Sequence, residues 1–170
     1  MSEAFHADIV AVTELLARIC ITCPDLAPEP DNAEYGAAIA DAAGLRFRVG
    51  KVTPRKVGMF VTVWRRAANG STEPLPDADG VQTLLVTVRE GDRFGLFAFP
   101  RSALRTHGIT SIAGAGGKRG FRVYPPWSAT ANVQAKRSQA WQGAYFLGLD
   151  SPAGVDVLRA ERAQQLLSGD

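Results

Sequence analysis

Two strand-like runs flank a basic turn between Leu45 and Arg66, LRFRVGKVTPRKVGMFVTVWRR, and they restrict the chain to folds organised around a β-sheet. In the first run Leu45, Phe47 and Val49 alternate with Arg46, Arg48 and Gly50, the period-two pattern of a half-buried strand. The second run, Val57 to Trp64, is apolar on both faces and suits a central strand covered on two sides. Thr53-Pro54 breaks the chain between them, so the stretch predicts a hairpin.

Charge sets this hairpin apart. Arg46, Arg48, Lys51, Arg55, Lys56, Arg65 and Arg66 are seven cations without one acid, and no Asp or Glu occurs between Asp41 and Glu73. A second window, from Arg93 to Leu149, also lacks acids and carries Arg93, Arg101, Arg105, Lys118, Arg119, Arg122, Lys136 and Arg137. Together the windows hold fifteen of the nineteen Lys and Arg residues, although the net charge is only +2. Adjacent in space, they would form one positive surface, the usual footprint of a polyanion partner.

With 170 residues and 46% hydrophobic content, the chain supports one domain with a sizeable core. The N-terminus MSEAFHAD has no long apolar run, and no stretch approaches a membrane span, so a cytoplasmic protein is expected. Cys20 and Cys23 stand as CITC at the end of a predicted helix. A redox pair would open a helix after a strand, and zinc needs four ligands that His6 and His107 are not spaced to complete. The pair is therefore read as packing.

In chain order, Phe5, Ile9, Val12, Leu16 and Ile19 recur at helical spacing and predict an amphipathic helix from about Ala4 to Cys20. Pro24 to Ala33 reads as an exposed connector, Glu34 to Ile39 as a short strand, and Ala67 to Gly80 as a polar surface loop. Thr83 to Val88 and Phe94 to Phe99 are strands joined through REGD. Arg101 to Thr106 is a short helix, followed by the glycine-rich GITSIAGAGGKRG. Gly120 to Tyr124 is a strand with Phe121 and Val123 on one face and Arg122 and Tyr124 on the other. Ser128 or Thr130 would cap a helix to about Leu147, with Lys136, Gln139 and Gln142 along one side, and Pro152 would open a last helix from about Ala153 to Leu167.

GAGGK is not a nucleotide fingerprint, because the pattern needs a Gly six residues before the Lys and a Ser or Thr after it, where this chain has Ile112 and Arg119. A glycine loop presenting Lys118 and Arg119 still suits phosphate through backbone N–H groups and charge.

EYGA (34–37), FRVGKVTPRKVGMFVTVWRR (47–66), FGLFAFPRSALRTHGITS (94–111), GKRGFRVYPPW (117–127) and AKRSQAWQGAYF (135–146) together resemble the MepB family over roughly residues 30 to 148. The resemblance implies a cytoplasmic bacterial protein. It also implies an α/β fold with an endonuclease-like core of the PD-(D/E)XK type, a mixed, mostly antiparallel sheet flanked by helices, without that superfamily's usual catalytic signature. The residues agree on the last point, since metal-dependent cleavage needs a carboxylate two residues before a lysine. The residues two before Lys51, Lys56, Lys118 and Lys136 are Val49, Pro54, Gly116 and Gln134. Glu34, Asp77 and Asp79 are the remaining candidate metal ligands, and Glu34 and Lys51 the remaining catalytic candidates.

The expected function is therefore nucleic-acid binding without cleavage and without a cofactor, with Mg required only under the alternative of a nuclease with a non-standard site. A small-anion or drug-responsive sensor is a further alternative. The candidate binding residues are Lys51, Arg55, Lys56, Lys118, Arg119, Arg122, Tyr124, Trp127, Lys136 and Arg137. Cations on phosphates with rings beside them favour single-stranded RNA or DNA over duplex, because only unpaired bases stack, at about 1–3 kcal/mol each. Trp64 and Tyr145 are expected in the core, and Trp141 fits either face of its helix.

Overall fold

The computed structural model describes residues 5–150 and 157–168, the side chains of residues 33–35 and 157–159 excepted. Its elements in chain order are α1 (Ala7–Arg18), β1 (Ala27–Pro28), β2 (Ala38–Ala40), β3 (Leu45–Val49), β4 (Lys51–Thr53), β5 (Lys56–Thr62), β6 (Trp64–Arg66) and β7 (Thr72–Pro74). There follow β8 (Thr83–Glu90), β9 (Arg93–Pro100), α2 (Arg101–Thr106), β10 (Gly120–Val123), α3 (Val133–Gly143), β11 (Phe146–Gly148) and α4 (Val157–Leu167). The architecture is mixed α/β. A six-stranded sheet in the order β1-β2-β3-β8-β9-β11 is antiparallel throughout except for the β3–β8 pair, and a smaller sheet has the order β10-β5-β4.

Alternation along the strands places one core on each face of the large sheet. Leu45 and Phe47 of β3 and Leu96 and Ala98 of β9 pack with Ile9, Val12 and Leu16 of α1. On the other face, Leu84, Val86 and Val88 of β8 and Phe97 and Phe99 of β9 meet Met59 and Val61 of β5 and Phe121 and Val123 of β10. α1 buries Ile9, Val12 and Leu16 of the stripe read from its spacing, with Phe5 and Ile19 half-buried just outside it, since the helix spans Ala7–Arg18 rather than Ala4 to Cys20. Among the described residues, no helix is long and apolar enough to cross a membrane.

The predicted hairpin of Leu45–Val49 with Val57–Trp64 does not form. β3 has both edges occupied, by β2 on one side and β8 on the other, and at Gly50 the chain leaves the large sheet. The hairpin that does form is β4 with β5, Thr53 lying opposite Lys56 so that Pro54 and Arg55 make the turn. Strand β5 is central in its sheet, as its apolar run predicts, yet Val57 at its open end is exposed.

Three further expectations change. Pro24 to Ala33 is largely exposed, as expected, but is more than a connector: it contains β1 and the start of a 3-10 helix, Pro30–Tyr35, in which Asn32 is fully buried and accepts the Thr62 hydroxyl at 2.9 Å. Residues 34–35 belong to that helix, and the strand begins at Ala38. The loop Ala67 to Gly80 holds β7, paired with β6, and buries Leu75.

The long helix expected to reach Leu147 ends at Gly143, and Phe146–Gly148 forms β11 on the edge of β9. Asn132 caps α3, accepting from the Ala135 amide, in place of Ser128 or Thr130. On the side that carries Lys136, Gln139 and Gln142, the two glutamines turn inward while Lys136 stays exposed. Gln139 donates to the Pro125 and Ser128 carbonyls, and Gln142 is buried. The start of the last helix, including Pro152, lies outside the described residues; its described part is α4, whose Arg162 donates to the Ala144 and Phe146 carbonyls.

Candidate nucleic-acid interface

Sequence windows free of acids are not free of acids in space. Arg48 is 1% exposed, and its guanidinium meets both Glu29 oxygens, at 2.9 and 3.0 Å, while donating to the Thr62 and Phe47 carbonyls. Burial pulls its pKa below the ordinary value and Glu29 acts in the opposite sense. Arg46 reaches Glu29 and Asp79, Arg65 pairs with Glu73 and Asp79, and Arg66 with Asp31. Arg101 clasps Asp77 with two hydrogen bonds, and Arg105 approaches it at 3.7 Å. The Arg101 hydrogen bond holds the Asp77 carboxyl below its usual range. Six cations of the two windows are thus neutralised by acids that lie outside them.

The same contacts occupy the candidate metal ligands. Asp77 and Asp79 each face guanidinium groups, and the Glu34 side chain lies outside those described. Among the described residues no group of three or more His, Cys, Asp or Glu is placed to hold a metal ion. Cys20 is exposed and Cys23 partly buried, both as free thiols, and burial pushes the Cys23 thiol up.

A different set of cations converges on a cleft of about 700 Å³ between the β4–β5 hairpin, the glycine-rich loop, β10 and one side of α3. Arg55 and Lys56 come from the hairpin and Lys118 from the loop; all three are exposed and have no carboxylate partner among the described residues. Gly117 makes the loop possible. Its φ of +83° and the Pro74 Cβ 2.6 Å from where a side chain would begin admit only glycine, and the Lys118 amide then closes on the Ile109 carbonyl at 2.9 Å.

Arg122 lines the cleft but is tied down. It donates to the Thr53 hydroxyl at 2.7 Å and to the Gly58 and Val57 carbonyls at 3.3 and 3.4 Å, binding β10 to the hairpin across β5. Tyr124 lies across Gly58, where its ring would stand 2.7 Å from a Cβ. The free edge of β10 is closed by Gln142, which donates to the Arg122 carbonyl at 2.9 Å and accepts from the Tyr124 amide at 2.7 Å. One side-chain amide therefore does for this edge what another strand would.

The remaining candidates lie elsewhere. Lys51 borders a separate hollow of about 460 Å³ with His6, Asp8 and Arg89. Arg119 turns away from Lys118 and donates to the Thr72 carbonyl and hydroxyl. Trp127 is half-buried edge-on to Phe146, with its indole N–H on Glu90. Lys136 and Arg137 are exposed on α3 but do not line the cleft. So Arg55, Lys56, Lys118, Arg122 and Tyr124 come together, and Lys51, Arg119, Trp127, Lys136 and Arg137 do not join them.

Two cleft residues carry no usable sequence signal. His107, at the end of α2, stacks on Trp141 of α3 with ring centroids 3.8 Å apart and planes within 7°. Desolvation lowers the imidazole pKa, which favours the neutral ring. Helical spacing left Trp141 on either side, and a lone histidine announces nothing about its partner.

The fold and this cleft define a mixed α/β protein that presents cations and stacked rings in one basic concavity. The chain belongs to the MepB-like family, whose sequence profile matches residues 29–148. It is similar to a solved structure, the crystal structure of MepB, at 28% identity and a TM-score of 0.71, the match covering 86% of this chain and 99% of that one. Among curated proteins no relative matches.

Proposed function

We propose that the protein binds single-stranded RNA or DNA through the cleft, within an endonuclease-like framework of the PD-(D/E)XK type that does not cut. One observation carries the reading. Arg55, Lys56 and Lys118 arrive from two separate loops without carboxylate partners among the described residues, beside Tyr124 and the His107–Trp141 stack. Cations without internal partners gain most from phosphates, and rings next to them serve unpaired bases. The nuclease alternative draws less support, because Asp77 and Asp79 already face arginines.

A gel shift with single-stranded RNA, single-stranded DNA and duplex, across a salt series with and without magnesium, tests it. The expected result is tighter binding of single strands, with log affinity falling by about 2 per log unit of salt for three phosphate contacts. Substrate should stay intact with magnesium. Salt-independent binding, or preference for duplex, overturns the proposal.

A further inference from the structure

The cleft is small for the partner proposed. About 700 Å³ lies within the range of pockets that enclose a small molecule, so a duplex with its two backbones is too large for it. Its contents are also ordered. Phe97 stacks on Phe99 at 5.3 Å, Phe99 meets Trp141 at 5.3 Å, and Trp141 stacks on His107, so a ladder of rings runs from the buried core to the cleft. One face of the imidazole is taken by the indole, while the ring still borders the cleft. The backbone beneath is fixed as well, the His107 amide donating to the Ala103 carbonyl at 3.0 Å.

We infer that the cleft is a subsite for one nucleotide unit, with its phosphate at Arg55, Lys56 and Lys118 and its base laid on the face of His107 that Trp141 leaves uncovered. The inference rests on the single-strand reading above and narrows it. A neutral imidazole suits the role, since it offers a flat surface without competing for the phosphate. Trp141 acts as a positioning residue: it touches His107 and holds the ring in plane. Polar groups of α3 that border the cleft, Asn132, Gln134 and Ser138, are placed for the base or sugar edge.

The test is calorimetric titration of the full chain with nucleoside 5′-monophosphates, ribose 5-phosphate and inorganic phosphate, alongside binding of a single-stranded oligonucleotide. The monophosphates should bind roughly 5- to 150-fold tighter than ribose 5-phosphate, the advantage of one stacked base. His107→Ala should collapse that gap, and His107→Phe, which keeps a flat ring, should preserve it. If the oligonucleotide binds but the wild-type protein does not distinguish monophosphate from ribose 5-phosphate, this inference falls and the single-strand reading stands. If neither oligonucleotide nor monophosphate binds, both fall. A gap that survives His107→Ala in folded protein also overturns the assignment of His107.

Discussion

The arginines around Glu29 and the cations around the cleft come from the same acid-free stretches, yet their chemistry is opposite. Arg48 is shut between the two sheets with a bidentate carboxylate and two carbonyls, whereas Arg55 and Lys56, a few residues on, stand exposed with no carboxylate partner among the described residues. The difference is one of place. β3 sits inside the large sheet with its alternate face against β5, so a charge there must be matched; the β4–β5 turn projects beyond both sheets, so a charge there need not be. Acid-free sequence is thus a sign of a partner, but that partner can be internal.

The largest effect expected from breaking this contrast is at Glu29. Glu29→Ala leaves the Arg48 guanidinium buried without its carboxylate and should cost about 3–5 kcal/mol in urea unfolding. A loss near zero would mean that the Thr62 and Phe47 carbonyls alone satisfy Arg48. Next comes Gln142→Leu, which orphans the Arg122 carbonyl and the Tyr124 amide on the β10 edge and should cost about 1–3 kcal/mol. A cost well below that would show that the edge finds other partners.

At the cleft the scale reverses. Replacing Arg55, Lys56 and Lys118 together by Ala should change stability by no more than about 0.5 kcal/mol, since none has a carboxylate partner among the described residues. The same variant should reduce the salt slope of single-strand binding by about 2. Equal loss of stability and affinity would erase the distinction between the two regions. The smallest effect is in pH. The folded state binds the His107 proton less readily than the unfolded chain, so this residue's contribution is fully present above 6.5, its ordinary pKa, and declines as pH falls from there through the lower folded value. His107→Phe should flatten that part of a stability–pH profile. Asp77, held down by Arg101, contributes in a separate range, above its ordinary 3.8 and lost below it.

Local pattern was legible in the sequence where structure is local. The stripe of α1, the β8–β9 pair across Gly91, the limits of α2 and the inward Phe121 and Val123 follow from spacing and turn residues alone. What escaped is set by distant partners. Leu45 to Val49 alternates as any edge or hairpin strand would, and nothing in it names β8 as its neighbour. Phe146 and Leu147 extend the helix expected to run to about Leu147 without a break in the sequence, but Phe97 and Leu96 across the ladder make Phe146–Gly148 a strand. The cleft was half visible, as cations and Tyr124, because charge is countable along a chain. Its floor was not, because stacking of His107 on Trp141 depends on where α2 and α3 cross.

The parallel pairing of β3 with β8 also bears on how the chain reaches its native state. β8 and β9 close on each other through a two-residue connection, whereas Leu45 must find Thr83 after the whole β4–β7 excursion has been looped out. Closing a longer loop costs more entropy before any contact repays it, so the β8–β9 ribbon is expected to gather first and β3 to insert late. In pulse-labelled hydrogen exchange the amides of Leu84 to Val88 bonded to β9 should be protected before those of Arg46 to Val49. Glu29, just after β1, belongs to the same β1–β2–β3 meander as Arg48, so their ion pair is local to it, and the contact that waits for the two sheets to close is the one Arg48 donates to the Thr62 carbonyl of β5.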